Sequence, residues 1–223
     1  MTLRANETGS QGPAAEVLDA ANYSARVVQV LDLGLQTQRP YEGQQKPPAN
    51  EIMVTYELGT EFMKGEDGED LTDKPRWISE RFSLFPLFSE RAKSTKRYNV
   101  LDPNGVHKGD WSRLIGSACL VAVTTNVSKA NGKTYNNVGA ISLPMKGLVA
   151  PDLVGNAKTF DLGDPDQEVF ETIPEWIQKI IQENLEYKGS LLEAILEGKP
   201  QAGSPSGTGD TSTPEIDDED VPF

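Results

Sequence analysis

Aromatic and basic side chains recur along residues 76–85, which read RWISERFSLF. If this segment is a β-strand, Trp77, Arg81 and Phe85 lie on one face, because successive side chains of a strand point to opposite faces. A guanidinium group binds phosphate oxygens, and an aromatic ring stacks on the flat face of a nucleobase. The pattern therefore predicts a surface that binds an unpaired polynucleotide, with each stacked base contributing about 1–3 kcal/mol.

The opposite face of the same segment is also partly apolar. Its residues are Ile78, Glu80, Phe82 and Leu84. Either face could therefore pack against the interior of the protein. The sequence leaves open whether Trp77 and Phe85 contact a ligand or belong to the core.

Positive charge is concentrated in the middle third of the chain. Residues 74–146 carry 12 basic and 4 acidic side chains, whereas the net charge is −8 over residues 1–73 and −13 over residues 147–223. Such an excess is typical of a polyanion-binding surface, and the alternative is a solvated charged face. Further candidate binding residues are Lys74, Arg76, Arg91, Lys93, Lys96, Arg97, Tyr98, Lys108, Arg113, Lys129, Lys133 and Tyr135.

Residue types that support catalysis or metal binding are scarce. The chain has one cysteine and one histidine, which excludes an intramolecular disulfide, a cysteine cluster and a multi-histidine centre. We expect Cys119 to be buried in a strand and His107 to be exposed in a loop. The carboxylates cluster in predicted loops and in the tail, where nuclease or glycosidase geometry would be poorly fixed. We therefore predict no catalytic residue, no cofactor and no metal, and expect that the protein is not an enzyme.

Two other motifs fail on spacing. Gly132-Lys133-Thr134 matches the end of a phosphate-binding P-loop, but Val127 stands where that motif requires glycine. The acidic segment 66–70 lacks the spacing of an EF-hand.

No apolar run approaches the 18 residues of a membrane-spanning helix, and residues 1–12 lack a signal-peptide pattern. We expect a soluble cytoplasmic protein that does not contact a membrane.

The predicted elements that position these residues form a β-rich domain. Alternation and turn residues predict strands over 25–33, 51–58, 76–85, 117–127 and 135–143, with an Asn131-Gly132 hairpin turn before the last one. A short helix is expected over 88–98 and a helical turn over 111–115, whereas 59–75 reads as an acidic loop. Five strands with a helix between the third and fourth are the order of an OB-fold barrel. A sandwich would need more strands, and a doubly wound fold would alternate strands with helices.

The region after the barrel reads as a connector followed by helices. Residues 151–166 are expected to be the connector, and capping boxes at Thr172–Glu175 and Ser190–Glu193 predict two helix starts. These helices are expected to pack on the barrel or on a second subunit. We expect Trp176, Trp111 and Tyr56 to lie in cores. The predicted division is a lead-in over 1–22, an OB-fold domain over 23–150, connector and helices over 151–197, and a disordered linker with an acidic tip over 198–223.

The last residues of the sequence carry a specific pattern. Gly, Pro, Ser and Thr dominate residues 198–214, a composition typical of disorder, and the final nine residues are EIDDEDVPF. A flexible linker with an acidic tip that ends in Pro-Phe resembles the single-stranded DNA-binding proteins (SSBs) of bacteria and phages. With the OB-like order before it, the chain resembles a phage-type SSB. Residues 167–197 lie outside the usual bacterial layout and favour the phage type.

The resemblance implies sequence-independent binding of single-stranded DNA in phage replication and recombination, in the cytoplasm of an infected cell. It implies that the tip recruits replication or recombination proteins such as a polymerase or a helicase-primase. The sequence leaves open whether the chain forms a homo-oligomer. The tail could also fold back and compete with DNA. The alternative is a phage interaction or assembly protein that binds no DNA. The tip residues are Asp217, Asp218, Glu219, Asp220, Val221, Pro222 and Phe223.

Overall fold

The computed structural model describes residues 16–147 and 149–198. Its main sheet is antiparallel, with the strand order β3-β2-β1-β4-β5, and the outer strands β3 and β5 approach each other. The sheet therefore curls into a half-barrel, which confirms the predicted mainly β, OB-like class. The five strands are β1 (Asn22–Gln36), β2 (Ala49–Lys64), β3 (Asp70–Ser83), β4 (Ala118–Val127) and β5 (Thr134–Ser142).

The half-barrel encloses the first of two apolar cores. Alternate residues of β1 and β2 point inward, and Tyr56 is fully buried among them, as predicted. Trp111 closes the base of this core, with its ring centroid 5.5 Å from that of Phe82 and 5.3 Å from that of Tyr98. Trp111 begins a 3-10 helix, Trp111–Leu114, which Asp110 caps by accepting a hydrogen bond from the backbone N–H of Ser112. The predictions for Tyr56, Trp111 and this helical turn are confirmed.

Strand β1 is longer than predicted because a glycine forms a bulge within it. Gly34 has φ +74°, a conformation that costs glycine little, and its N–H donates to Asp32 Oδ1 at 2.9 Å. The pairing between β1 and β2 shifts register between Asp32 and Gly34 and then continues to Gln36. The expectation that Gly34 ends the strand was therefore wrong.

The expected acidic loop over residues 59–75 is mostly a β-hairpin. Strand β2 extends to Lys64 and β3 starts at Asp70, so that only the turn between them lies outside the strands. Lys64 and Asp70 form an ion pair of 2.6 Å across the hairpin, and Gly68 takes φ +83° in the turn. This extension is largely solvated, so its strands carry charged side chains where an alternating apolar pattern would have revealed them.

Helix α1 (Lys93–Leu101) lies between β3 and β4, as the fold class requires. It begins five residues later than predicted, because Phe85 to Ala92 form successive turns. The turns are held by α1 itself: Ser94 Oγ accepts from the N–H of Phe85 at 3.1 Å, and Thr95 Oγ1 donates to the carbonyl of Pro86 at 3.3 Å.

A second core lies on the outer side of β1 and β2. Leu31, Leu33 and Met53 point away from the half-barrel and are covered by the C-terminal elements. A short strand, β6 (Lys158–Phe160), pairs in parallel with β1 inside the region predicted as a connector, where no strand was expected. The covering helices are α2 (Gln167–Glu171), α3 (Glu175–Gln182) and α4 (Leu191–Leu196).

Only one of the two predicted capping residues caps a helix. Ser190 caps α4 by accepting from the N–H of Glu193 at 3.2 Å, as expected. Thr172 instead ends α2, and Pro174 precedes α3 without any side-chain cap.

Trp176 is 57% exposed, which contradicts the expectation that it is buried, because Ile177 and Ile181 form the inward face of α3. Within residues 16–147 and 149–198, no helix is long and apolar enough to cross a membrane.

Candidate nucleic-acid interface

The structure decides which face of residues 76–85 points outward. Ile78 and Phe82 pack into the half-barrel core, and Glu80 is buried beside them. Trp77, at 41% exposure, and Arg81 lie on the outer face together with Ser79. The aromatic and basic side chains that the sequence placed on one face therefore share one solvent-accessible surface, which we call the β3 outer face (residues 77, 79, 81 and 83).

Trp77 is held in a fixed position by a buried carboxylate. Its indole Nε1–H donates to Glu57 Oε2 at 3.0 Å, and Glu57 is the residue opposite Trp77 on β2. Glu57 is only 2% exposed and also accepts from the N–H groups of Val154 at 2.6 Å and Gly155 at 2.8 Å. Three donors thus satisfy this carboxylate, which a buried charge requires.

Residues 149–155, which we call the strap, cross the outer side of the sheet beside Trp77. Gly155 lies so close that a Cβ there would overlap the Trp77 ring and come within 2.6 Å of Glu57 Oε2. Arg26 anchors the other part of the strap by donating to the carbonyls of Ala150 at 2.9 Å and Pro151 at 2.7 Å. The strap restricts Trp77 on one side and leaves the other side open.

The open side of Trp77 faces a groove between β3 and β5. This Trp77 groove has a volume of about 270 Å³, and its lining includes Arg76, Trp77 and Tyr135 as well as Val17 and Leu18. It brings together one cation and two rings from the predicted set, although they are up to 59 positions apart in the sequence. The Tyr135 hydroxyl accepts from Asn131 Nδ2 at 2.8 Å.

Other predicted cations surround this end of the half-barrel. Lys129 and Lys133 are exposed in the loop between β4 and β5, just before Tyr135 on β5, and Lys74 is exposed on β3 two residues before Arg76. Flexible ammonium groups in such positions can neutralise phosphates without a fixed geometry.

A second basic pocket lies at the other end of the β3 outer face. This Arg81 pocket has a volume of about 390 Å³ and is lined by Arg39, Lys46, Arg81 and Glu51, together with Thr37 and Gln38. Arg81 is ion-paired with Glu51, so the three cations exceed the one acid. The pocket thus favours an anionic ligand such as phosphate.

Arg39, Lys46 and Tyr41 were not predicted as binding residues, because the segment between the first two predicted strands is polar and contains three prolines, which is typical of a loop. Lys46 Nζ lies 4.9 Å from the centroid of the Tyr41 ring, which is itself well exposed. The ammonium group lies over the ring and makes a cation–π contact, and rings and cations are the two kinds of group that single-strand binding uses. The signal in the sequence was the cluster Arg39, Tyr41 and Lys46 within eight residues, next to a predicted strand.

Two of the predicted binding residues lie in the interior, so their assignment to the interface was wrong. Arg97 is buried, with its Nε donating to Glu80 Oε1 at 2.8 Å and Nη2 to the carbonyl of Gly139 at 3.1 Å. It links α1 to β3 and β5. Tyr98 is 1% exposed and packs in the half-barrel core, and burial raises the pKa of its hydroxyl. Neither side chain can reach a nucleic acid in this structure.

The remaining predicted residues are on the surface but outside both grooves. Lys93 pairs with Glu80 at 2.8 Å, and Arg113 pairs with Asp110 at 3.3 Å. Phe85, Arg91 and Lys96 are exposed around the turns before α1 and on α1 itself, and Lys108 is exposed in the loop before the 3-10 helix. The tip residues 217–223 lie outside the described residues.

The two residues with possible nucleophilic or acid–base chemistry are engaged in the fold. Cys119 is buried as predicted, and its burial raises the pKa of the thiol to about 12. His107 lies in a loop, as expected, but it is half-buried instead of exposed, and its backbone N–H donates to Asp102 Oδ2 at 2.8 Å. Among residues 16–147 and 149–198, no three His, Cys, Asp or Glu side chains are arranged to hold a metal ion.

The sequence matches no family model and no curated protein. The candidate interface is therefore the β3 outer face, with the Trp77 groove at one end and the Arg81 pocket at the other.

Proposed function

We propose that this protein binds single-stranded DNA without sequence preference, along the β3 outer face. The observation that carries the proposal is that Trp77 and Arg81 are exposed on one face of β3, between the Trp77 groove and the Arg81 pocket. Trp77 and Tyr135 supply rings for stacking, and Arg76, Arg81, Arg39 and Lys46 supply cations. Stacking platforms beside a basic groove are what generic single-strand binding requires.

The dimensions of this surface suit a short stretch of an extended strand. Trp77 and Arg81 are four residues apart, which is about 13 Å along a β-strand. A ring at one end and a pocket for phosphate at the other can thus engage neighbouring nucleotides of one strand. Every base has a stacking face, so this arrangement does not select a sequence.

The wider role follows from the resemblance of the acidic Pro-Phe tip, and it is part of the proposal. The protein would coat single strands during phage replication and recombination in the cytoplasm of an infected cell. The terminal segment 215–223, which combines five acids with a final Phe, would recruit a partner that has a basic rim around an apolar pocket.

The test of DNA binding is fluorescence anisotropy of a labelled oligo-dT at two salt concentrations. The full chain is expected to bind and to weaken as salt rises, because phosphate contacts release counterions. Trp77→Ala is expected to weaken binding by about 1–3 kcal/mol, which is about 5- to 150-fold. Trp77→Phe keeps an aromatic ring but lacks the hydrogen bond from Nε1–H to Glu57, and it is expected to lose less DNA affinity than Trp77→Ala.

Trp176→Ala is the matched control, because Trp176 is an exposed tryptophan on α3, on the covered side of the sheet. It is expected to bind as the unaltered chain does, with thermal melts confirming that both variants fold. No binding by the full chain at low salt contradicts the proposal. Equal losses in Trp77→Ala and Trp176→Ala would remove the β3 outer face as the site.

The role of the tip is tested with a chain shortened to end at Pro214. DNA binding is expected to stay the same or to tighten, because five acids and a final aromatic are removed from competition with DNA. Weaker DNA binding by the shortened chain would contradict competition by the tail.

A further inference from the structure

Phe88 is 84% exposed, the highest exposure among the large apolar side chains of the described residues. It lies in the segment between β3 and α1, which we call the 84–92 turn. The backbone of this turn is well anchored: Ser94 and Thr95, both almost fully buried, bond to Phe85 N–H and the Pro86 carbonyl. A fixed backbone thus holds an aromatic ring in solvent, although the hydrophobic effect favours burying such a ring.

The 84–92 turn continues the β3 outer face. The N–H of Leu84 donates to the carbonyl of Asn50 at 2.7 Å, so strand pairing with β2 extends one residue past Ser83. Leu84 packs against the half-barrel core, and the next residue, Phe85, is exposed. Phe85 therefore follows Arg81 in the outward alternation, and Phe88 lies three residues further on.

Two exposed cations that make no ion pair within the described residues lie in and shortly after the 84–92 turn: Arg91 is in the turn, and Lys96 is near the start of α1. Arg91 and Lys96 are exposed, and among residues 16–147 and 149–198 neither makes an ion pair, whereas Lys93 is paired with Glu80. A docking surface for a protein is usually depleted of lysine at its centre. Rings interspersed with free cations favour a nucleic acid as the occupant.

We infer that the 84–92 turn is a second base-contacting element, in which Phe88 stacks on a base and Arg91 and Lys96 neutralise the adjacent phosphates. The inference rests on the proposed function and extends it, because it takes the DNA beyond the end of β3. A strand that fills the β3 outer face and continues past the Arg81 pocket would reach this turn. Short oligonucleotides would occupy only the β3 outer face.

The test measures the affinity of the full chain for oligo-dT of increasing length, from about 4 to about 30 nucleotides, a range that brackets the site sizes of OB-folds. Phe88→Ala is expected to weaken binding of long oligonucleotides about 5- to 150-fold and to leave the shortest that bind unaffected. Trp77→Ala is expected to weaken both. Phe88→Tyr, which keeps the ring, is expected to restore long-oligonucleotide affinity, and Phe88→Leu is not.

The cations are tested by the salt dependence of binding. Arg91→Ala combined with Lys96→Ala is expected to lower the slope of log affinity against log salt by about 1.4, since each phosphate contact with a single strand contributes about 0.7. The matched control is Lys179→Ala, which removes an exposed cation from α3 on the covered side.

The outcomes separate this inference from the proposed function. Loss of affinity in Trp77→Ala with unchanged affinity in Phe88→Ala at every length overturns the inference alone, including the case in which Phe88→Ala changes self-association or protein binding. Absence of DNA binding by the unaltered chain overturns both.

Discussion

The outer surface of the half-barrel is covered over β1 and β2 but open over β3, although these strands are neighbours in one sheet. Met53 on β2 and Arg81 on β3 are paired residues and point to the same side. Met53 is buried with the C-terminal helices, whereas Arg81 lines an open basic pocket. The change from apolar core to charged surface thus occurs between two adjacent side chains.

This difference follows from the side chains that each strand carries on its outer side. Leu31 and Leu33 of β1 are apolar on the outer side and are covered by β6 and α2 to α4. The β3 outer face carries Trp77, Ser79 and Arg81, which offer no apolar strip for a helix to cover. The strap ends at the border of the two regions, beside Trp77.

The largest expected effect is on the covered region. Ile181→Ala removes a fully buried side chain of α3 and is expected to lower the free energy of unfolding by about 2–5 kcal/mol, measured by urea denaturation. DNA affinity is expected to stay unchanged in the folded variant. Leu191→Ala, at an exposed position of α4, is the control and is expected to cost far less. A large loss of DNA affinity in folded Ile181→Ala would show that the two regions are not independent.

The sequence was sufficient to predict the fold because β1, β2 and β4 alternate or run apolar as barrel strands do. It also placed Trp77 and Arg81 on one face, but the choice between inward and outward required the packing of Ile78 and Phe82. Tyr98 and Arg97 were assigned to the surface because their residue types favour binding, whereas the structure uses them inside.

Features that depend on distant parts of the chain could not be predicted. Strand β6 has only three residues and gains its apolar contacts from β1, about 130 residues earlier in the chain. The Arg81 pocket forms because the β2–β3 register places Glu51 opposite Ser83, which brings the loop before β2 to Arg81. Neither relation leaves a local pattern in the sequence.

The next largest effect is expected at the border between the two regions. Gly155→Ala places a methyl group against the Trp77 ring and Glu57, and such overpacking typically costs about 1–3 kcal/mol of stability. Because Trp77 must shift, DNA affinity is expected to fall as well, and the change should appear in tryptophan emission. The emission is best recorded in a background with Trp111→Phe and Trp176→Phe, so that Trp77 is the only tryptophan.

Gly163→Ala serves as the control for this glycine, since its nearest neighbour is a flexible side chain, Asp161 Oδ1, at 3.2 Å from the added Cβ. It is expected to leave both emission and DNA affinity unchanged. If Gly155→Ala binds DNA normally with altered emission, the position of Trp77 does not limit binding, and the strap is only a structural cover.

The smallest expected effect concerns the interior that both outer regions share. Cys119 has a pKa of about 12 in the folded protein and an ordinary value of 9.0 when unfolded, so its burial contributes stability that is fully present below pH 9. As the pH rises from 9 towards 12, the unfolded thiol ionises first and this contribution is lost. Above pH 9, the free energy of unfolding of the unaltered chain is therefore expected to fall relative to that of Cys119→Ala.

Urea denaturation of both proteins at pH 8 and pH 10 measures this change. DNA affinity at pH 8 is expected to be the same for both, since the thiol faces the half-barrel core and neither outer region. A constant difference between pH 8 and pH 10 would mean that the thiol is already accessible to solvent in the folded state.

The covering helices α2 to α4 follow the half-barrel strands in the chain, so they are synthesised after them. The half-barrel strands are complete at Ser142, whereas α4 ends at Leu196, about 50 residues later. At roughly 5–20 residues per second, a ribosome needs about 3–10 seconds for this stretch. During that interval the outer strip of Leu31, Leu33 and Met53 has no cover, so a nascent or prematurely terminated chain exposes it to chaperones and to other nascent chains.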